Sequence, residues 1–361
     1  MLLDESKLLP GLSGIMRVKN DAQFIEACVE SCIYALDELI IVWNDCTDNS
    51  AEIIKKVCDK YPKKIKAFEY PHKVYSINLT KEEYEYAKSL PQSSPHLLSN
   101  YYNFALSKVS CQYVMKIDAD QFYFTSKLKY WRNRIVNYRP VPLYSILGGF
   151  IISIMIKIAS VINSKYDKIL IFGKQNDNIL LRRMYEGYSL YMFHHDKCNL
   201  SLSGLNVCKL HKDWYVSLGG FSSVINVLPP FNGVGDHLIF KAISDNRYEP
   251  FDCKRYSLYR SNDYNLIERF VTNKKSIPIG FMWYHMNMMR PNYYEKILKL
   301  TDWENYFMKL DHFCIFDKGL VNIVAKRKFL SIKVLSILIS FYAFNSEILK
   351  RYKFLLKNII E

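Results

Sequence analysis

The sequence predicts an α/β fold built on a doubly wound mixed sheet, and three observations carry that expectation. Apolar runs of strand length alternate with stretches of helical periodicity from Leu12 onward. One run, Glu38–Trp43 (ELIIVW), is almost wholly apolar, the pattern of a central parallel strand covered on both faces. Another, Tyr113–Ile117, stops abruptly at Asp118-Ala119-Asp120. Strands and helices in alternation place helices on both faces of a parallel sheet, and ligands then bind beyond the carboxyl ends of its strands.

In chain order, Leu12–Val18 (LSGIMRV) reads as the first strand. Asn20 is the expected N-cap of the next helix, with Gln23 as its reciprocal partner. Phe24, Ile25, Cys28, Val29, Cys32, Ile33 and Leu36 then form one apolar face at helical spacing. After Glu38–Trp43 comes a polar loop, Asn44–Ser50, and Asn49 with Glu52 opens a second helix. Ile65–Tyr70 is a third strand, Val74–Pro95 a polar, Tyr-rich connection, and Ser99–Lys108 a helix leading into the Asp118-Ala119-Asp120 strand. Polar residues at three strand ends, Arg17, Asn44/Asp45 and Asp118/Asp120, are therefore expected to converge.

Side chains two apart on an extended chain point the same way, so Asp118 and Asp120 are expected to project together. Paired carboxylates suit a hard divalent cation, Mg²⁺ or Mn²⁺, which leaves positions open for phosphate. A solvated turn in which either Asp caps the following segment is the other reading of this stretch.

The chain has 361 residues, room for two domains or for one α/β domain with appendages, and 50% of it is hydrophobic. A formal charge of +14 favours an anionic partner. With no zinc-finger spacing and no RRM-like aromatic motif, the expectation is phosphate or an anionic membrane surface, and no nucleic acid. The nine cysteines are scattered without a C-x-x-C pair, which fits a reducing compartment. The opening MLLDESKLLPGLSG has no secretory pattern. A cytoplasmic location, peripheral on the inner face of the cell membrane, is the expectation.

After the basic stretch Lys127–Arg139, Val141–Asn163 is apolar except for Lys157 and a few Ser and Asn residues. A core helix, a packed insertion, a helix in the membrane interface and, less favoured, a span are all open readings. The tail Lys326–Glu361 alternates basic and apolar residues, as amphipathic helices do, and suits a membrane surface or the protein's own surface.

The order of these features resembles a GT-A glycosyltransferase of the family 2 type, the kind that builds bacterial surface polysaccharide. The matching motifs are the loop Asn44-Asp45-Cys46-Thr47-Asp48, with Asn44 where the family has Asp; Asn103-Phe104-Ala105; and Asp118-Ala119-Asp120. Further on, Trp214–Phe221 carries the family's W-x-x-x-G-G-F pattern as W-x-x-x-x-G-G-F. Gly235-Asp236-His237-Leu238 stands at the acidic motif, with Gly for the usual Glu. The resemblance implies a GT-A α/β fold with a helical insertion and C-terminal helices. It also implies an inverting, metal-dependent transfer of a hexose from a nucleotide-diphosphate sugar, best a UDP-sugar, to a hydroxyl of a glycan or lipid-linked acceptor.

On this resemblance Arg17, Asn44, Asp45, Asp118 and Arg290 bind the donor. Asp118, Asp120 and His285 hold Mn²⁺ or Mg²⁺, and Asp236 is the catalytic base. A helix N-cap at Asp236 and a hydrogen-bonded core residue at His285 are the plainer alternatives. The expected organisation is a nucleotide-sugar-binding half over 10–125, a basic and apolar insertion over 126–200, an acceptor-side half over 201–300, and amphipathic helices over 301–361. Two rivals share parts of this pattern. A sugar-nucleotide nucleotidyltransferase would need a Gly-rich, Arg-containing loop that Leu12–Asp21 lacks. A non-catalytic, membrane-associated binding protein on a degenerate scaffold would tolerate Asn44 and Gly235.

Overall fold

A computed structural model describes residues 5–166, 179–228, 231–233, 237–252 and 264–310. The elements run β1 (Leu9–Val18), α1 (Ala22–Cys32), β2 (Glu38–Trp43), α2 (Ser50–Lys60), β3 (Ile65–Glu69), α3 (Lys81–Ser89), α4 (Leu98–Leu106) and β4 (Cys111–Asp118). Next come β5 (Gln121–Tyr123), α5 (Thr125–Val136), α6 (Leu143–Tyr166), α7 (Ile179–His194), β6 (Cys198–Leu210) and β7 (Asp213–Ser217). Short strands β8 (Gly220–Phe221), β9 (Asn226–Val227) and β10 (Phe231–Asn232) precede β11 (Leu238–Lys241), β12 (Arg247–Asp252), β13 (Leu266–Val271) and β14 (Lys275–His285). The last described elements are α8 (Pro291–Leu298) and β15 (Phe307–Lys309). The expected tail helices, and Asp236 with its neighbour Gly235, lie outside the described residues.

The chain forms two compact units, the first from residues 1–121 and 238–273, the second from 122–237 and 274–361. In the first, β3-β2-β1-β4 run parallel and β11 lies antiparallel beside β4. Consecutive β1, β2 and β3 grow outward in one direction, and the chain then returns to place β4 on the other side of β1. That reversal is the switch point of a doubly wound sheet. Ile15, Ile40, Val42 and Val114 pack with Tyr101, Tyr102 and Ala105 of α4 and with Tyr248 of β12, while α1 and α2 pack on one another.

The amino ends of these strands are tied together by buried polar groups. The Glu38 carboxylate accepts from Ser13 Oγ (2.6 Å), Ser110 N (2.5 Å), Ser110 Oγ (2.6 Å) and Lys66 Nζ (2.8 Å). Beside it, Leu12 N donates to Asp37 at 2.8 Å.

Three sequence expectations need correction here. The N-cap of α1 is Asp21, and Asn20 instead bonds across to the next loop, its amide reaching Thr47 Oγ1 (3.2 Å) and its oxygen accepting from Thr47 N (2.8 Å). Asp48 from that loop takes the first helical N–H, Ala22 N, at 3.0 Å. The Tyr-rich connection contains α3, started by a reciprocal Thr80–Glu83 capping box. Finally, the apolar run after Asp236 is a strand, not a helix: it pairs with β4, and Leu238, Ile239 and Phe240 are buried together, an arrangement a short extended segment achieves and a single helical turn does not.

In the second unit the long β6 pairs with β14 in parallel and with β7 in antiparallel fashion, and β15 follows β7. The Trp214–Phe221 motif forms β7 and then turns at Gly219 and Gly220, with φ of +70° and +136°, backbone that side-chain-bearing residues rarely adopt. Helices α6 and α7 make a hairpin whose close approach depends on small residues. A methyl on Gly149 would run into the Met184 carbonyl and Tyr188, and one on Gly187 would meet Val141 and Ser145. Among the described residues no helix is long and apolar enough to cross a membrane.

Helix α5 carries a charge cluster against α7. Glu186 accepts from Tyr130 Oη and Arg134 Nη1, both at 2.5 Å, and faces Arg182 at 3.4 Å. Lys127 is 6% exposed, and its ammonium has no hydrogen-bond partner among the described residues. Burial pushes this group down to about 7, against the pull of Glu186. A depressed lysine pKa makes the native state shed a proton that the unfolded chain keeps. Stability from this site is therefore lowest below pH 7 and rises toward pH 10.5. Lys127→Met is expected to raise the melting temperature at pH 6.5 by the equivalent of about 1–3 kcal/mol. The gain should shrink as pH rises toward 10, which thermal melts across that range would check.

Candidate active site

The register fixes the site's frame. Arg17 on β1 lies directly opposite Asp118 on β4, and Val18 lies opposite Trp43 on β2. Arg17, Asn44 and Asp118 therefore stand at one level, at the carboxyl ends of three adjacent parallel strands. Arg17 and Asp118 flank the switch point itself, the position at which a doubly wound sheet opens a crevice. The register brings the strand ends of Arg17, Asn44 and Asp118 side by side.

Each residue has a distinct setting. Arg17 Nε donates to Tyr102 Oη at 3.4 Å, and its guanidinium sits 5.7 Å from the Tyr102 ring centre. Asn44 is buried, and its amide donates to the carbonyls of Tyr70 (2.7 Å) and His72 (2.6 Å). Its Oδ1 has no hydrogen-bond partner among the described residues. Asp45 is exposed, adopts φ +46° and pairs with Lys19 at 3.1 Å. Burial works against ionisation of nearby Asp48, but hydrogen bonds from Ser50 and from the Ala22 amide hold its carboxyl below the usual range.

The Asp118-Ala119-Asp120 stretch is a turn, so the expected extended pairing of its side chains does not apply. β4 ends at Asp118, Ala119 and Asp120 make the turn, and β5 begins at Gln121. Gln121 clamps the turn: its Oε1 accepts from Asp118 N (3.3 Å) and its amide approaches Asp118 Oδ2 (3.5 Å). From α1, Cys28 Sγ donates to the Asp118 carbonyl at 3.4 Å. Burial pushes the Cys28 thiol far up, with Cys32 and the negative charges of Asp120 and Asp118 adding to it, so Cys28 stays neutral there. Asp120 is 4% exposed and Asp118 half-buried.

Among the described residues no group of three or more His, Cys, Asp and Glu side chains is arranged to hold a metal ion. Mg²⁺-type sites built for phosphate substrates use one or two carboxylates, with waters and phosphate oxygens completing the shell. Two carboxylates within one turn fit that donor set.

The second unit holds the remaining candidates. His285 ends β14, is buried, and has Nδ1 2.5 Å from Asn206 Oδ1. Arg290 is the residue before α8, its Nε on Asn287 Oδ1 at 3.1 Å.

Three residues of the first unit escaped the sequence reading. Tyr102 receives Arg17, Lys116 stands 5.0 Å over the Tyr102 ring, and Glu268 of β13 pairs with Lys116 at 2.8 Å, both side chains being almost fully buried. A single lysine, Lys116, within an otherwise apolar strand was the available signal. Asn103, read as a family motif residue, ties α4 to β12 through Tyr248 N (2.8 Å) and O (2.9 Å).

Residues 5–180 match the family model described as beta-1,4-N-acetylgalactosaminyltransferase (CgtA). The resemblance to GT-A glycosyltransferases is borne out. None of the curated proteins compared matches the chain. Among solved structures, glucosyl-3-phosphoglycerate synthase from Mycobacterium tuberculosis, in complex with Mn²⁺, UDP and glucosyl-3-phosphoglycerate, is 17% identical. That likeness covers 30% of this chain and a third (33%) of the synthase, at a TM-score of 0.20. S. aureus TarS 1–349 is 13% identical over 97% of this chain and 88% of that one, TM-score 0.27. The same fragment in complex with UDP is 12% identical over 96% and 90%, TM-score 0.29. The glycosyltransferase resemblance rests on the family match and the motifs.

Proposed function

We propose that this protein is an inverting glycosyltransferase that moves a hexose or N-acetylhexosamine from a UDP-sugar to a hydroxyl of a glycan or lipid-linked acceptor in surface polysaccharide synthesis. It would work as a peripheral protein on the inner face of the cell membrane. The observation that carries the reading is the alignment of Arg17, Asn44 and Asp118 across the switch point, in a stretch that matches a glycosyltransferase family.

In this reading Asn44 and Asp45 hold the uridine, and the Arg17 guanidinium offsets charge on the diphosphate. Asp118 and Asp120 would hold Mn²⁺ or Mg²⁺, which supplies Lewis-acid stabilisation of the leaving nucleotide. On the resemblance alone, Asp236 takes the proton from the acceptor hydroxyl while that oxygen forms its bond to the anomeric carbon. The anomeric bond to the diphosphate breaks in the same displacement, which inverts the centre, and Arg290 would contribute to diphosphate binding.

The test is calorimetric binding of UDP, GDP, CMP and dTDP with and without Mn²⁺, followed by transfer assays with UDP-N-acetylgalactosamine and UDP-glucose. Binding of UDP above the others, strengthened by Mn²⁺, is the expected result. A folded protein that binds none of the four overturns the reading in favour of a non-catalytic scaffold.

A further inference from the structure

Three consecutive residues of α4 bind three different parts of the first unit. Tyr101 Oη contacts the carbonyls of Val18 (3.1 Å) and Val42 (2.7 Å), which pins the helix to the ends of β1 and β2. Asn103 bonds the backbone of Tyr248, whose ring lies 4.9 Å from the Tyr102 ring at 31°. Between them Tyr102, 2% exposed, accepts from Arg17 Nε. Val18 directly follows Arg17, so the Tyr101 contact to its carbonyl fixes where Tyr102 stands relative to Arg17.

The strand register brings a second cation to the same ring. Arg17 pairs with Asp118 and Ile15 with Lys116, and Ile15 packs on Tyr101 and Tyr102, so Arg17 and Lys116 share the sheet face that α4 covers. The Arg17 guanidinium is 5.7 Å and the Lys116 ammonium 5.0 Å from the Tyr102 ring centre. Two cations on one buried ring repel, the more strongly the lower the local dielectric. Glu268, delivered by β13, pairs with Lys116 at 2.8 Å, and the two side chains are 10% and 4% exposed. The acid offsets the charge that Lys116 brings beside Arg17. Arg17 itself is half-buried and anchored at Nε, the guanidinium nitrogen nearest its stem. The bond to Tyr102 therefore does not use Nη1 and Nη2, the nitrogens that can grip two phosphate oxygens at once. An arginine held in this way has less rotamer freedom to lose when a ligand arrives.

We propose that Tyr102 and Glu268 are positioning residues for donor binding: Tyr102 fixes the Arg17 guanidinium for the diphosphate, and Glu268 keeps it there by offsetting Lys116. This rests on the donor site proposed above and adds two residues that act through Arg17.

The experiment is calorimetric binding of UDP and of uridine to the full chain at fixed Mn²⁺, with circular dichroism on every variant. Arg17→Met should weaken UDP about 100-fold and leave uridine, which lacks the diphosphate, unchanged. Tyr102→Phe keeps the ring and removes the acceptor, and should weaken UDP about tenfold with no change for uridine. In the Arg17→Met background it should do nothing further, whereas a merely structural loss would add to the first and reach uridine as well. Glu268→Gln should weaken UDP about fivefold. Lys116→Met/Glu268→Gln should recover most of that loss, because neutral groups at both positions restore the charge balance. Should Glu268→Gln fail to fold, Lys116→Met gives the other edge of the same cycle: its unbalanced acid should weaken UDP, and the double variant should again recover it. Wild-type UDP affinity in folded Tyr102→Phe, losses that add to that of Arg17→Met, equal losses for uridine, or a double variant no better than the single ones each overturn the proposal. Absence of UDP binding by the folded wild type, or wild-type UDP affinity in Arg17→Met, instead overturns the donor site on which it stands.

Discussion

Asp120→Asn is expected to lower the rate of sugar transfer about 1000-fold while leaving the protein folded. The substitution keeps shape and volume and removes one negative charge from a turn whose backbone is held independently, by Gln121 on Asp118 and by the Cys28–Asp118 contact. The effect thus separates charge from architecture. In the proposed site, the carboxylates at 118 and 120 would contribute to the cation's coordination, and an amide is a far poorer ligand than a carboxylate for a hard ion. The signature is paired: turnover collapses, and the increment in UDP affinity that Mn²⁺ produces in the wild type disappears. A variant with normal circular dichroism, normal turnover and an unchanged Mn²⁺ response would remove Asp120 from the cation site and leave it as a buried turn residue.

The parts legible in the sequence were those encoded locally. The ELIIVW run, the helical faces of α1 and α2 and the polar residues ending the apolar runs each occupy a few adjacent positions, so periodicity was enough to order β1 to β4 and to gather Arg17, Asn44 and Asp118 at one end. What escaped depends on register between distant segments. Lys116 and Glu268 meet across 152 positions, and Tyr102 meets Arg17 across 85. Asn20 looked like a cap because its local pattern is that of one, but Thr47 on the neighbouring loop competes for its side chain and Asp48 takes over the capping. The run after Asp236 was misread for a related reason. Three apolar residues in a row fit either element, and pairing with β4 decided for strand.

The same register predicts a second large effect, at the opposite end of the sheet. Glu38→Ala is expected to destabilise the first unit by about 3 kcal/mol, a large share of a domain's typical margin of about 5–15 kcal/mol. Glu38 lies opposite Ser13 and joins β1, β2, β3 and the entry to β4 through four hydrogen bonds. Truncation leaves the buried Ser13 hydroxyl and the Ser110 amide without their acceptor, a greater cost than the loss of the bonds alone. Burial opposes ionisation of Glu38, yet the bonds from Lys66, Ser110 and Ser13 outweigh it and hold the carboxyl below the usual range. A carboxyl held low in the native state releases a proton that the unfolded chain still binds. Its stabilisation is full above the ordinary value of 4.5 and is lost as pH falls through the lower native one. Urea unfolding of wild type and variant should therefore differ by the full amount at pH 7 and converge in acid. A gap that stays constant with pH would trace the loss to packing rather than to the carboxylate. The end of the sheet that holds Glu38 is closed by such internal partners, while Arg17, Asn44 and Asp118 stand at the other end, where the proposed donor would bind.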